Sequence, residues 1–197
     1  MLSLKNKRIR MKYHDKILFI DTETGGLDPG YHSLLSIGLV QWEDSKITRT
    51  KEILINDGKL NVTDEALAIN RIDLKSHKVH AVDQNKAIEE ILRFIEWPGD
   101  QKEKITLAGH NVCFDIRFTR HLFESQDYNF DDYFSHRSID TSSILHYLYF
   151  AGIIDEKIVG STEAFKHFEI EVRGRHTALG DAIATAELFT KLISLLL

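Results

Sequence analysis

The segment Ile17-Leu18-Phe19-Ile20-Asp21-Thr22-Glu23-Thr24-Gly25-Gly26-Leu27-Asp28-Pro29 closes an apolar run with two carboxylates spaced two residues apart. Four large apolar residues in a row read as a strand buried on both faces. Side chains alternate along a strand, so Asp21 and Glu23 project to one side and Thr22 to the other. Two desolvated carboxylates side by side repel each other, and a shared cation is the usual remedy. Gly25-Gly26 and then Asp28-Pro29-Gly30 break the strand at once. The pair is thus expected at a sheet edge, beside flexible backbone that a ligand can approach closely.

Two further acids are candidates for the same chemistry. Asp115 follows Leu107-Ala108-Gly109-His110-Asn111-Val112-Cys113-Phe114, where a strand gives way to a helix. In an open α/β sheet, ligands collect at such places. A helix N-terminal charge that favours the dipole explains Asp115 equally well. Asp181 lies in Arg175-His176-Thr177-Ala178-Leu179-Gly180-Asp181-Ala182. On a helix it shares a core-facing stripe with Ala178, Thr185, Leu188 and Leu192. A carboxylate there needs either a salt bridge or a bound cation, and the cation is the preferred reading. Ala178, Ala182 and Ala184 would let this helix lie close to the sheet. His176 reads as a loop residue ahead of the helix, with Thr177 near the N-cap. A histidine on a loop at a site mouth can exchange protons with water, although alone it reads as a surface residue.

The elements that must position these groups follow from periodicity. Strands are expected at residues 34–42 and 48–55, joined by a turn at 43–46, as an antiparallel meander. A short helix near 66–69 and an amphipathic helix over 84–97, stopped by Pro98-Gly99, come next. A strand at 104–108, a helix at 114–125, a short strand at 137–140 and a helix at 141–150 follow. Asp140 or Thr141 is read as that helix's cap rather than as a metal ligand. Short and long helices at 162–168 and from 177 onward complete the chain. Hairpins first and β-α alternation later imply an α/β fold with a mixed sheet flanked by helices.

Composition narrows the classes. At 197 residues the chain suits one domain with an ample core. Apolar residues make up 43% and charged residues 28%, as in ordinary globular proteins. A net charge of −5 argues against a protein that coats long duplexes, but leaves room for a local nucleic-acid site whose cations are metals. Cys113 is the single cysteine, so no intramolecular disulfide can form; it reads as a small core residue and not a nucleophile. No apolar run is long enough for a membrane span and no secretory leader is evident, so no membrane partner and a cytoplasmic location are expected. Lys5, Lys7, Arg8, Arg10, Lys12 and Lys16 make a basic arm, read as a solvated extension over 1–15, with phosphate contact as the alternative. No Walker-type loop, His-Glu-x-x-His or Cys-x-x-Cys motif is present.

Taken together, the acids and the histidine resemble the DnaQ-like 3'→5' exonucleases of the DEDDh type, within the ribonuclease H-like superfamily. The resemblance covers about residues 16–194 and places one exonuclease domain over 16–197. Its motifs look like Asp21-Thr22-Glu23-Thr24-Gly25-Gly26-Leu27-Asp28-Pro29, Gly109-His110-Asn111-Val112-Cys113-Phe114-Asp115 and His176-Thr177-Ala178-Leu179-Gly180-Asp181-Ala182. Gly25 departs from the threonine of many relatives. In Ala66-Leu67-Ala68-Ile69-Asn70-Arg71-Ile72, Asn70 and Arg71 replace a His-Gly pair.

The resemblance implies a ribonuclease H-like mixed five-stranded sheet. It implies that Asp21, Glu23, Asp115 and Asp181 hold two divalent cations, Mg²⁺ or Mn²⁺, with Asp21 bridging them. His176 would take the proton of the attacking water. Thr24 and Leu27 would contact the terminal nucleotide, against a plainer reading as turn and core residues. The implied reaction releases nucleoside 5'-monophosphates from single-stranded or frayed 3' ends of DNA or RNA. Rival readings are a non-cutting nucleic-acid-binding module and a proofreading subunit with a polymerase partner. The chain ends on its last helix at Leu195-Leu196-Leu197, which favours a free-standing enzyme as the expectation.

Overall fold

The computed structural model describes residues 16–96 and 104–196. The basic arm up to residue 15, the Pro98-Gly99 stop and Leu197 lie outside the described residues. The first strand, β1 (Ile17–Thr24), forms as expected and becomes the centre of the sheet. It pairs antiparallel with β2 (Leu34–Glu43), which pairs antiparallel with β3 (Lys46–Leu54). The β2–β3 turn places Asp44 and Ser45 at positive φ, the geometry that matches strand twist in a two-residue hairpin. On its other side β1 runs parallel to β4 (Ile105–Gly109), which runs parallel to β5 (Phe134–Asp140). The order β3-β2-β1-β4-β5 is a mixed five-stranded sheet, as the sequence implies.

Helices cover both faces. α1 (Asp64–Asn70), α2 (Leu74–His80) and α3 (Gln84–Phe94) link β3 to β4. α4 (Cys113–Glu124) and the short α5 (Phe130–Tyr133) link β4 to β5, and α6 (Thr141–Phe150), α7 (Ser161–His167) and α8 (Ala178–Ser194) follow. Sequence periodicity passes over α2 and α5, which are short and lack a long apolar stripe. It also starts β5 late, because its exposed His136-Arg137-Ser138 centre hides the strand pattern. Asp140 caps α6 by accepting from Ser142 N–H, and Thr177 caps α8 by accepting from Gly180 N–H.

Strict alternation along β1 divides its side chains between two cores. Leu18 and Ile20 pack with Ile88 and Ile91 of α3 and with Phe118 and Leu122 of α4. Ile17 and Phe19 face Ala182, Ala186 and Phe189 of α8. The Phe189 ring packs tilted against Phe19 and edge-on to Trp42, with centroids 5.5 Å and 5.2 Å away, and the Trp42 indole donates to Thr190 Oγ1 at 2.9 Å. These contacts anchor the C-terminal half of α8. Its N-terminal half presses on Gly38 of β2, where a Cβ would overlap the backbone of Ala178. Gly38 lies directly across from Asp21 in the β1–β2 register. A missing side chain on β2 is what lets α8 come down beside the acid pair.

One expectation is overturned. Cys113 is exposed at the start of α4, not buried, because the turn after β4 buries Val112 instead. The close approach at Gly38 makes a direct prediction. Gly38→Ala should overpack the α8 contact and destabilise the fold by roughly 1–3 kcal/mol, read as a lower urea midpoint. A wild-type midpoint would show that α8 does not press on this strand.

Candidate active site

Asp21 and Glu23 leave the end of β1 on the α8 side of the sheet, and Asp181 meets them from the first turn of α8. One carboxylate oxygen from each of the three lies within 4.8 Å of the others. Asp181 is only 8% exposed, on the core-facing stripe with Ala178, Thr185, Leu188 and Leu192. Its Oδ2 accepts from Arg175 Nη1, whereas its Oδ1 is buried and has no hydrogen-bond partner among the described residues. The salt bridge weighed for Asp181 therefore exists, yet it satisfies only half of the carboxylate. Arg175 was not singled out from the sequence, although it directly precedes His176.

Asp115 arrives from the opposite layer. It is buried in the first turn of α4 and accepts from the Thr22 hydroxyl at 2.7 Å. Thr22 points away from the acid pair, as alternation requires, and that direction is what allows it to hold Asp115. The fourth acid is thus outside the tight trio, but its charge still acts on Asp21.

Burial dominates the electrostatics. It raises Asp21 well above the usual carboxylate range, and the charges of Asp115, Asp181 and Glu23 raise it further. Burial also raises Glu23 to about 7, with Asp181 adding to the effect and Arg175 opposing it. Asp115 rises to about 7 for the same desolvation reason, against the lowering effect of its Thr22 hydrogen bonds. Such a set of hard oxygen donors, with one buried oxygen unpartnered, fits a divalent cation such as Mg²⁺ or Mn²⁺.

His176 is half-buried in the loop before α8, with φ of 65°. Its ring makes no hydrogen bond or ion pair with the described residues, and it stands outside the carboxylate trio. Asn111, also at positive φ, donates its backbone N–H to Asp140 Oδ1 at 2.9 Å, so it serves the turn before Asp115.

Beside Glu23 opens a cavity of about 590 Å³, lined by Thr24, Leu27, His32, Glu65, Ile69 and Phe114 among others. Leu27 is 77% exposed, which removes the core reading for it. The Thr24 hydroxyl instead donates to Gly26 O at 2.7 Å and shapes the turn. The Asn70 amide donates to Thr24 O at 3.2 Å, tying α1 to the end of β1, while Arg71 closes α1 in the left-handed conformation. Gly25 has no room for a side chain, because a Cβ would overlap the Asn61 carbonyl. A threonine would not fit here on this backbone. Ile69 and Phe114 are cavity residues missed earlier; each sits inside a quoted motif, but only the fold turns it to the cavity.

A family model described as exonuclease matches residues 18–189. The chain belongs to this exonuclease family, the DnaQ-like DEDDh group of the ribonuclease H-like superfamily. This exonuclease domain is 26% identical over 185 residues to ribonuclease T of Wigglesworthia glossinidia brevipalpis, covering 89% of this chain and 83% of that one. It is 31% identical over 182 residues to the 3'-5' DNA exonuclease Cap18 of Escherichia coli, covering 89% and 91%. A PolC-type DNA polymerase III of Oceanobacillus iheyensis is 26% identical over 189 residues; the match spans 95% of this chain but 12% of the polymerase. Among solved structures, E. coli exonuclease I in complex with a dT13 oligonucleotide superposes with a TM-score of 0.73 at 17% identity, over 90% of this chain and 40% of that chain. Cell-death related nuclease 4 gives 0.75 at 14% identity, over 91% and 64%. The exonuclease domain is therefore an enzyme of the phosphodiester-hydrolase class.

The raised carboxylates link stability to pH. Between the unfolded value near 4 and the folded value near 7, the folded domain holds more protons than the unfolded chain. This contribution is full below the unfolded value and disappears as pH rises through the folded one. Metal-free protein should therefore lose melting temperature from about pH 5 to about pH 8, and Asp21→Asn should lose less. Parallel melting curves for the two proteins would count against the acid cluster as the source.

Proposed function

We propose that this domain is a metal-dependent 3'→5' exonuclease that removes nucleoside 5'-monophosphates from single-stranded or frayed 3' ends of DNA or RNA. The observation that carries this reading is the trio of Asp21, Glu23 and Asp181 around a buried, unpartnered Asp181 oxygen. Asp115, whose charge acts on Asp21, would join Asp21, Glu23 and Asp181 as the residues that hold a pair of Mg²⁺ or Mn²⁺ ions. Bound there, two divalent cations supply charge neutralisation for the attacking and leaving oxygens and favour ionisation of water. His176, on the loop that leads into α8, accepts the proton of the water as it attacks phosphorus. The P–O3' bond breaks, the leaving 3' oxygen takes a proton from solvent to become the new 3'-hydroxyl, and the 5'-monophosphate leaves.

Leu27 packs against the terminal base and Thr24 shapes the wall that receives it. Their place on the cavity beside Glu23 supports this. Ribonuclease T and the DNA exonuclease Cap18 are both relatives, which supports a substrate class that includes RNA and DNA. The PolC-type relatives support a polymerase as a protein partner. No described helix is long and apolar enough to cross a membrane. The lone Cys113 suits a reducing cytoplasm, the proposed location.

A matched pair of 5'-labelled DNA and RNA strands tests the reaction. The products should form a ladder shrinking one nucleotide at a time, abolished by EDTA and restored by Mg²⁺ or Mn²⁺. Full cutting in metal-free buffer, or early release of internal fragments, would sink this reading.

Individual roles separate by kinetics. His176→Ala should lose roughly 10²–10⁴-fold in rate and keep substrate affinity. Leu27→Ala should raise the apparent KM with unchanged melting temperature. Near-normal turnover in the first, or unchanged affinity in the second, would remove that residue from its role.

A further inference from the structure

Among the described residues, Arg175 is the cation with an ion pair into the carboxylate trio. Its Nη1 donates to Asp181 Oδ2. The other amino group, Nη2, donates to Thr162 Oγ1 at 2.7 Å and Ser161 Oγ at 3.3 Å, both at the start of α7. Its Cζ lies 5.6 Å from the centroid of the Phe165 ring. One guanidinium therefore straddles two environments. One is the carboxylate of the active site, and the other is a neutral cradle of two hydroxyls and an aromatic face. Its charge reaches further than Asp181, since it opposes the raised proton affinity of Asp21 and Glu23.

We propose that Arg175 is a displaceable internal counter-cation, which neutralises Asp181 before metal binds and yields that carboxylate to the incoming divalent ion. This rests on the reading of the trio as a metal centre. A divalent ion drawn to the unpartnered Oδ1 of Asp181 meets the guanidinium on the other oxygen of the same carboxylate, and two cations on one carboxylate repel each other. Arg175 has somewhere to go. Ser161, Thr162 and Phe165 already hold its far side, and turning the rigid planar guanidinium as a unit about those contacts carries Nη1 off Asp181. The backbone need not follow. Thr177 donates to Gly174 O from both its N–H, at 3.0 Å, and its hydroxyl, at 2.7 Å, which ties the loop on either side of Arg175 and His176. Arg175 is thus a positioning residue that keeps the acid cluster folded without metal and sets the threshold for loading it.

Mn²⁺ titration calorimetry on the metal-stripped full chain tests this, with melting curves alongside. Arg175→Met should bind Mn²⁺ more tightly than wild type, on the order of tenfold, because a competing charge is gone. Its metal-free melting temperature should fall, so the gain on adding Mn²⁺ should grow. Arg175→Gln, a second neutral variant that keeps an amide donor for Asp181 and Thr162, should show the same tightening if Arg175→Met does not fold. Arg175→Lys, which keeps the charge, should stay near wild type. Unchanged or weaker Mn²⁺ affinity in the neutral variants would overturn the proposal and leave Arg175 as a structural clamp on Asp181. Wild-type protein that takes up no Mn²⁺ would defeat the metal centre itself, and this inference with it.

Discussion

Like-charge repulsion at the end of β1 is the constraint around which the domain is arranged. Asp21 and Glu23 share one side of a strand whose other residues are buried, so burial and mutual charge act on them together. A fold could relieve this by exposing the pair fully, but β1 is the central strand with both faces covered over Ile17–Ile20, which leaves Asp21 and Glu23 half-buried. The relief must come from a positive charge brought to the site. Arg175 gives part of it in this structure, and the unpartnered oxygen of Asp181 shows that the compensation is incomplete. Incomplete compensation is the property that a cation-binding site requires.

Two layers meet at this point, and each delivers one acid. α8 brings Asp181 over the face that holds Ile17 and Phe19, and α4 brings Asp115 over the face that holds Leu18 and Ile20. The approach of α8 depends on small residues: Ala178 and Ala182 on the helix and Gly38 on the strand below. The approach of Asp115 depends on the Thr22 hydroxyl. Burial and charge oppose each other here. The same burial that raises the carboxylate proton affinities makes the metal-free cluster a strained part of the fold.

The cavity beside the acids is built from a different principle. Its Leu27, Ile69 and Phe114 walls are apolar, and Leu27 is left largely uncovered although burial would favour its packing away. Hydrogen bonds to backbone fix the cavity in place: from the Asn70 side-chain amide to the Thr24 carbonyl, from Ser33 N–H to Asn61 O and from Thr63 N–H to Gly25 O. The carboxylate floor offers hard oxygen donors to cations, and the wall beside it is apolar, so the two parts suit different chemical groups.

Much of this was legible in the order of residues. Period-two alternation puts Asp21 and Glu23 on one side, and helical spacing puts Asp181 on a buried stripe; both are local geometry that survives into the fold. The mixed sheet followed from hairpins succeeded by β-α units. Other features depend on pairs far apart in the chain. Gly38 matters because the β1–β2 register sets it across from Asp21, Thr22 because α4 docks on its face, and Arg175 because the turn before α8 carries it to both Asp181 and α7. Cys113 was misread because an apolar neighbourhood in sequence is not burial in space: the turn gives the inward place to Val112. Local pattern decides which way a side chain points from its own strand or helix. Only the docking of one element on another decides what it meets there, since that contact is set by register, helix approach and the space small residues leave.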